Sequence, residues 1–125
     1  MLGNQDVCAT IAVSDMEAAK KFYGETLGLK ADKEDPGGGV FYKSGNGGVF
    51  VYQSVRAGTN KATYAAWSVD DVEAEAAALK DKGVQFEQYD DLPGERQGDI
   101  HTMGPIKAAW FTDPDGNILN IVSGM

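Results

Sequence analysis

The chain has 125 residues, 42% hydrophobic, 24% charged and 10% aromatic, the size and balance of one folded domain rather than a disordered chain or two large domains. No run approaches the roughly 20 apolar residues that cross a bilayer, and the start MLGNQDVCAT is neither basic nor strongly apolar, so a soluble cytoplasmic protein without membrane partners is expected. Nineteen acids against eleven scattered bases give a net charge of −8, which disfavours nucleic acid, while one cysteine and one histidine exclude an internal disulfide, a Cys-rich zinc framework and an imidazole-rich metal centre.

Val7 to Val13 is a β-type run. It ends at Ser14, and Ser14-Asp15-Met16-Glu17 has capping-box spacing, so a helix should begin there with Ser14 as its cap. Met16, Ala19, Phe22, Tyr23 and Leu27 recur at helical spacing, and Gly28 is the expected stop. Leu29–Asp32, Val40–Lys43 and Val49–Ser54 read as short strands, separated by Pro36-Gly37-Gly38-Gly39 and Gly45-Asn46-Gly47-Gly48. The order is β-α-β-β-β, filling a module at 4–55.

After the polar linker Arg56–Lys61 the same order returns. VSDMEA at 13–18 reappears as VDDVEA at 69–74, with positions 14 and 70 lying 56 apart, so the chain is an internal repeat of two half-size modules. Thr63–Val69 reads as a strand; Asp70-x-x-Glu73 should cap a helix carrying Val72, Ala76 and Leu79, and Gly83 should stop it. Val84–Gln88, Lys107–Thr112 and Ile118–Val122 complete a second module at 62–124, the last two joined by the turn Asp113-Pro114-Asp115-Gly116-Asn117. Residues 89–106 read as a long polar loop. The fold class is therefore α+β, built from two βαβββ modules that share one domain over 1–125. Gly, at 16 residues, is about twice its ~7% average, as many tight turns require.

IAVSDMEAAKKFYGETLGL, AAWSVDDVEAEAAALKDKGVQF and the terminal hairpin AAWFTDPDGNILNI resemble the vicinal oxygen chelate superfamily, which includes glyoxalase I, bleomycin-resistance proteins and extradiol dioxygenases. The resemblance covers nearly the whole chain. It implies the glyoxalase-like fold, in which paired modules curl into a cupped, barrel-like mixed sheet around a cavity, and it implies a homodimer. Enzymes of the group place four metal-binding side chains in that cavity. Carried over, these positions fall on Cys8, within Val49-Phe50-Val51, on Tyr64 and on Asn120. Val and Phe offer no donor, Cys8 is a possible soft ligand, Asn is a weak oxygen ligand and Tyr is protonated near neutrality, so no metal cofactor is expected.

Without a metal, the cavity would be lined by Phe41, Phe50, Tyr52, Tyr64, Trp67, Trp110 and Asn120, a make-up usual for small-molecule sites. Each aromatic has core packing as its alternative. Alternation puts Phe50 and Tyr52 on one face and Val49 and Val51 on the other, without saying which is inward. His101 reads either as a pocket-edge hydrogen-bonder or general base, the candidate catalytic group, or as a solvent-exposed loop histidine. Cys8 lacks an adjacent base or positive charge and reads as a small buried strand residue. Glu87, Asp90, Asp91 and Glu95 could draw a cationic ligand or form a solvated face. The stretch Ala57–Thr63 has a Gly-containing turn but no following helix, which rules out a phosphate loop.

Three functions follow as expectations. The first is a metal-independent binder of an unidentified small organic molecule, similar to the bleomycin-resistance branch. The second is a lyase or isomerase with a diverged site served by His101, Tyr64 or Glu95. The third is an interaction module whose cavity its own side chains fill.

Overall fold

The computed structural model describes all 125 residues. It is an α+β structure with two mixed sheets, and it divides into two compact units, Met1–Gly58 and Thr59–Met125. No helix is long and apolar enough to cross a membrane.

The first unit runs β1 (Ala9–Val13), α1 (Met16–Lys20, continued by a π-helical turn over Lys21–Thr26), β2 (Lys30–Glu34), β3 (Val40–Ser44) and β4 (Gly47–Gln53). Its strands lie in the order β1-β4-β3-β2, with β1 and β4 parallel and the rest antiparallel. The helix cap is Asp15 rather than Ser14. Asp15 has extended backbone, and its Oδ1 accepts from the N–H groups of Glu17 and Ala18 at 2.9 and 3.4 Å, the bonding geometry of an N-cap. Leu27 N–H donates five residues back to the Phe22 carbonyl, and Leu29 N–H reaches the Tyr23 carbonyl around Gly28, whose φ is +75°. Gly28 thus ends the helix as expected, through a left-handed turn that a side chain would disfavour. Ala19 and Tyr23 are buried together with Ile11, Val13, Val40, Tyr42, Val49 and Val51. Strand parity makes these the helix-side face of the sheet.

The second unit contains β5 (Thr63–Ser68), α2 (Val72–Asp81), β6 (Phe86–Glu87), β7 (Glu95–Gln97), β8 (Ile100–Met103), β9 (Ile106–Thr112) and β10 (Ile118–Ser123). Its cap is also displaced by one residue: Asp71, not Asp70, accepts from Ala74 N–H at 3.1 Å. Parallel β5–β10, antiparallel β10–β9 and antiparallel β9–β6 repeat the first unit's pairing. The difference is an added hairpin. Residues expected to form a featureless loop instead make β7 and β8, joined by the two-residue turn Gly98-Asp99, with β8 pairing alongside β9. Val72, Ala76, Val84, Phe111, Leu119 and Ile121 are buried on the α2 side.

Asp99, in that turn, is 11% exposed and is bonded by the Lys80 ammonium of α2 and the Gln88 amide. Those two bonds hold its carboxyl below the ordinary value of 3.8. A carboxyl depressed in the folded state contributes stability that is full above its unfolded pKa and is lost as pH falls through the folded one. The hairpin should therefore loosen below about pH 4. Hydrogen exchange of the β7–β8 amides is expected to rise on that acid side, and Asp99→Asn should show the faster exchange already at neutral pH.

Candidate functional site

In the first unit, the antiparallel register sets Phe41 directly opposite Phe50. Parity then places Phe41, Phe50 and Tyr52 on the face away from α1. Phe50 and Tyr52 are stacked, with ring centroids 6.0 Å apart and planes 13° from parallel. Neither ring is sunk in the core: Phe41 and Phe50 are half-buried and Tyr52 is 36% exposed. Glycines let the rings lie against the sheet. A Cβ on Gly39 would come within 2.6 Å of Phe50 Cζ, and one on Gly48 would collide with Phe41 Cζ. Sequence reading assigned these two glycines to turns and missed this role; their signal was a glycine diagonally across from a phenylalanine in the paired strand.

A cavity of about 420 Å³ opens beside Phe41 and Phe50, rimmed by Asp32, Lys33, Glu34, Asp35 and Pro36. Across β2, a second cavity of about 440 Å³ is lined by Lys20, Gly24, Leu29 and Tyr42 among others. Burial raises the Tyr42 hydroxyl above its ordinary pKa, against the opposing pull of Lys20, so it stays a neutral hydrogen-bonding group. Lys20 is paired with Glu34 at 3.1 Å.

In the second unit, parity separates the aromatic candidates. Trp67 leaves the site: it stacks on Phe111 at 6.3 Å, on the side where Phe86 also meets Phe111. The helix covers that face, and burying a large apolar ring there outweighs exposing it. Trp110, one residue from Phe111, points to the opposite face, where its Nε1–H donates to Thr63 Oγ1 at 3.1 Å. Asn120 lies opposite Trp110 and is buried, its amide donating to the Ala109 carbonyl at 3.1 Å. Tyr64 is half-buried and is the extra residue where the β5–β10 register shifts.

His101 is not a solvent-exposed loop residue. It sits on β8, 7% exposed, opposite Ala108. Its ring meets Trp110 edge-on at 5.0 Å and Tyr89 at 6.0 Å, and Tyr89 meets Trp110 at 5.6 Å. Tyr89, unmarked by sequence reading, completes this triangle. Burial, with Glu87 and Asp91 nearby, raises its hydroxyl pKa. Of the acidic cluster, Asp90 pairs with Arg96 at 2.9 Å and Glu87 lies opposite Trp110.

The four positions at which the resemblance places metal ligands do not form a suitable donor set. Cys8 is exposed just ahead of β1, not a buried strand residue as expected, because the first eight residues lie outside the sheet. Val49 and Val51 are buried under α1, and Phe50 has no donor atom. Asn120's amide nitrogen is turned to a carbonyl. No three His, Cys, Asp or Glu side chains gather anywhere in the chain. A divalent ion needs several such groups converging, and these positions do not supply them.

Residues 6–121 match the model of the Glyoxalase/Bleomycin resistance protein/Dioxygenase superfamily. No curated protein matches the chain by sequence. Among solved structures, the chain is similar to a glyoxalase family protein from Enterococcus faecalis, with a TM-score of 0.70 and 24% identity, covering 98% of this chain and 99% of that one. It is similar to TnmS3, an antibiotic binding protein from Streptomyces sp. CB03234, at a TM-score of 0.67 and 23% identity over 98% of both chains. The fosfomycin resistance protein FosX from Listeria monocytogenes gives a TM-score of 0.73 at 13% identity, over 98% of this chain and 94% of that one. At such identities the likeness concerns the fold.

Proposed function

Given that the chain belongs to the glyoxalase/bleomycin resistance protein/dioxygenase superfamily, we propose that it is a binding member of that group. It holds a flat, largely apolar organic molecule on the Phe41–Phe50–Tyr52 face and needs no metal. The observation that carries this reading is the pair of stacked, partly open rings laid over glycine backbone beside a cavity of about 420 Å³. Aromatic platforms of this kind bind planar molecules by stacking and area burial, and a cavity of that size suits a small organic ligand. The poor donor set at the metal positions supports binding over the metal-assisted chemistry of the enzymes. The antibiotic binding protein TnmS3, which shares the fold, supports it as precedent. The resemblance also implies a homodimer, which a monomeric mass by sedimentation would overturn, and the single cysteine fits a reducing cytoplasm.

A fluorescence titration with the neutral planar probe N-phenyl-1-naphthylamine tests the reading. Chelator-treated protein should bind the probe saturably, added zinc or nickel should leave the affinity unchanged, and Phe50→Ala should weaken it about tenfold, the worth of a lost aromatic stack. Binding that appears only on adding metal, or that Phe50→Ala leaves intact, overturns it.

A further inference from the structure

The helix side of the first sheet is left uncovered at its β2 edge. Register sets Ala31 opposite Tyr42 and Glu34 opposite Val40, so these four share the face turned to α1, and Asp32 is the extra residue at the register shift between them. Val40 and Tyr42 are buried, yet the residues that border them are small. Gly24, in the π-helical turn, faces the Tyr42 ring, whose Cε1 lies 3.8 Å from where a Cβ would stand, and Ala31 brings only a methyl group. The space left between helix and edge strand is the cavity of about 440 Å³. We infer that it is a binding site, on the opposite side of the sheet from the Phe41–Phe50–Tyr52 face, for a free α-amino acid with an apolar side chain. The carboxylate accepts from the Tyr42 hydroxyl and the Lys20 ammonium, the ligand's ammonium pairs with Glu34, and its side chain lies against Leu29, Ala31 and Val40.

Tyr42 is the origin of this inference. It lines the cavity at 2% exposure, and its hydroxyl has no hydrogen-bond partner in the chain. Polar groups so deeply placed are ordinarily bonded. The neighbouring Tyr23 meets Tyr42 ring to ring, with centroids 6.2 Å apart. Burial keeps the hydroxyl protonated, so toward an anionic oxygen it donates. The π-helical turn over Lys21–Thr26 that carries Gly24 is a rare conformation, found most often where a helix borders a functional site.

The charges at the rim set the ligand's chemistry. Lys20 of α1 and Glu34 of β2 both line the cavity and pair with each other at 3.1 Å. Their side chains are 48% and 63% exposed, so the pair contributes little to stability and parts readily. A lone carboxylate entering there would gain Lys20 and be repelled by Glu34, and a lone amine would meet the reverse. A zwitterion gives each of the two side chains a partner of opposite sign. Lys33 and Asp32 add one further charge of each sign, leaving no net charge to favour a simple ion. Leu29, Ala31 and Val40 supply apolar wall below the rim, and a space of about 440 Å³ is of the size that takes small organic ligands.

The test is a titration of the isotopically labelled full chain, followed by the Gly24 amide and Ala31 methyl resonances. The probes are L-phenylalanine, 3-phenylpropionate, which lacks its ammonium, and 2-phenylethylamine, which lacks its carboxylate. The amino acid should shift both signals saturably, and the other two should each bind about tenfold more weakly, the worth of one charge-assisted hydrogen bond. Tyr42→Phe removes a hydroxyl that no group in the chain uses, so the fold should be kept. It should weaken the amino acid and 3-phenylpropionate by the same factor, about fivefold, and leave 2-phenylethylamine unchanged. Glu34→Gln should erase the advantage of the amino acid over 3-phenylpropionate. Phe50→Ala, on the other face, should alter none of the three, which separates this site from the one proposed above. Equal binding of the three probes by the unaltered chain overturns the proposal without recourse to any variant. So does an amino acid titration without saturable shifts, or one that Phe50→Ala weakens and Tyr42→Phe does not.

Discussion

Phe111→Ala is expected to cost about 4 kcal/mol, the middle of the range for truncating a buried aromatic. Phe111 is 1% exposed, and its ring meets Trp67 at 6.3 Å and Phe86 at 5.7 Å. Leu119, fully buried, lies directly opposite it on β10. The neighbouring rings are fixed in their own strands, Phe86 on β6 beside β9 and Trp67 on β5 beyond β10, so neither moves readily into the gap. Against a typical total stability of about 5–15 kcal/mol, this loss should bring the urea midpoint sharply down. Trp110→Ala, one position away, is the control. Trp110 is half-buried on the other face, so its removal should cost clearly less stability. Equal costs for the two would show that the assignment of β9's faces is wrong.

Asp113→Ala is expected to cost about 3 kcal/mol, since each buried donor left unmatched carries roughly 1–3 kcal/mol. Asp113 is 5% exposed, and its Oδ1 accepts from the N–H groups of Asp115 and Asn117, both at 2.9 Å. Its Oδ2 accepts from the Asn117 side-chain amide at 2.8 Å, and Asn117 is fully buried. Alanine strands all three donors, two of them on Asn117. Asp113→Asn keeps an oxygen for the backbone pair but turns an amide toward an amide, so its cost should fall between those of alanine and the native residue. Denaturant midpoints in the order Asp, Asn, Ala check this. The segment that carries the family resemblance most specifically, TDPDGN, is thus a cross-braced turn. Its work is to set β10 against β9.

Much of the fold could be read from the residues. The repeat placed both helices and all the long strands, because capping residues, helical spacing and turn glycines are local signals that need no partner to be recognised. The caps moved one residue, from Ser14 and Asp70 to Asp15 and Asp71. Adjacent polar residues compete for one position, and the winner is the one whose oxygen meets the second and third helical N–H groups. The β7–β8 hairpin went unread for another reason. Its strands are three and four residues long and without apolar alternation, and β8 owes its existence to pairing with β9. The Gly98-Asp99 turn and Gly94 were its only local marks. Gly94 has φ +90°, and a Cβ there would strike the Thr102 carbonyl.

The candidate site divides in the same way. By itself the sequence determined the two-module order, the family resemblance, and the lack of any donor side chain at Val49, Phe50 and Val51, because residue identity alone settles which donor atoms exist. Only the tertiary structure decided which aromatic residues lie on the helix-covered faces of the sheets and which on the opposite ones. Phe41 and Tyr42 are neighbours, as are Trp110 and Phe111, so both faces of these strands are hydrophobic and the usual alternation of apolar and polar residues is lost. A shift of one residue exchanges the faces. What broke the tie was the packing of α1 on Tyr42 and of α2 on the Phe111 side, a contact between distant segments that no local pattern encodes.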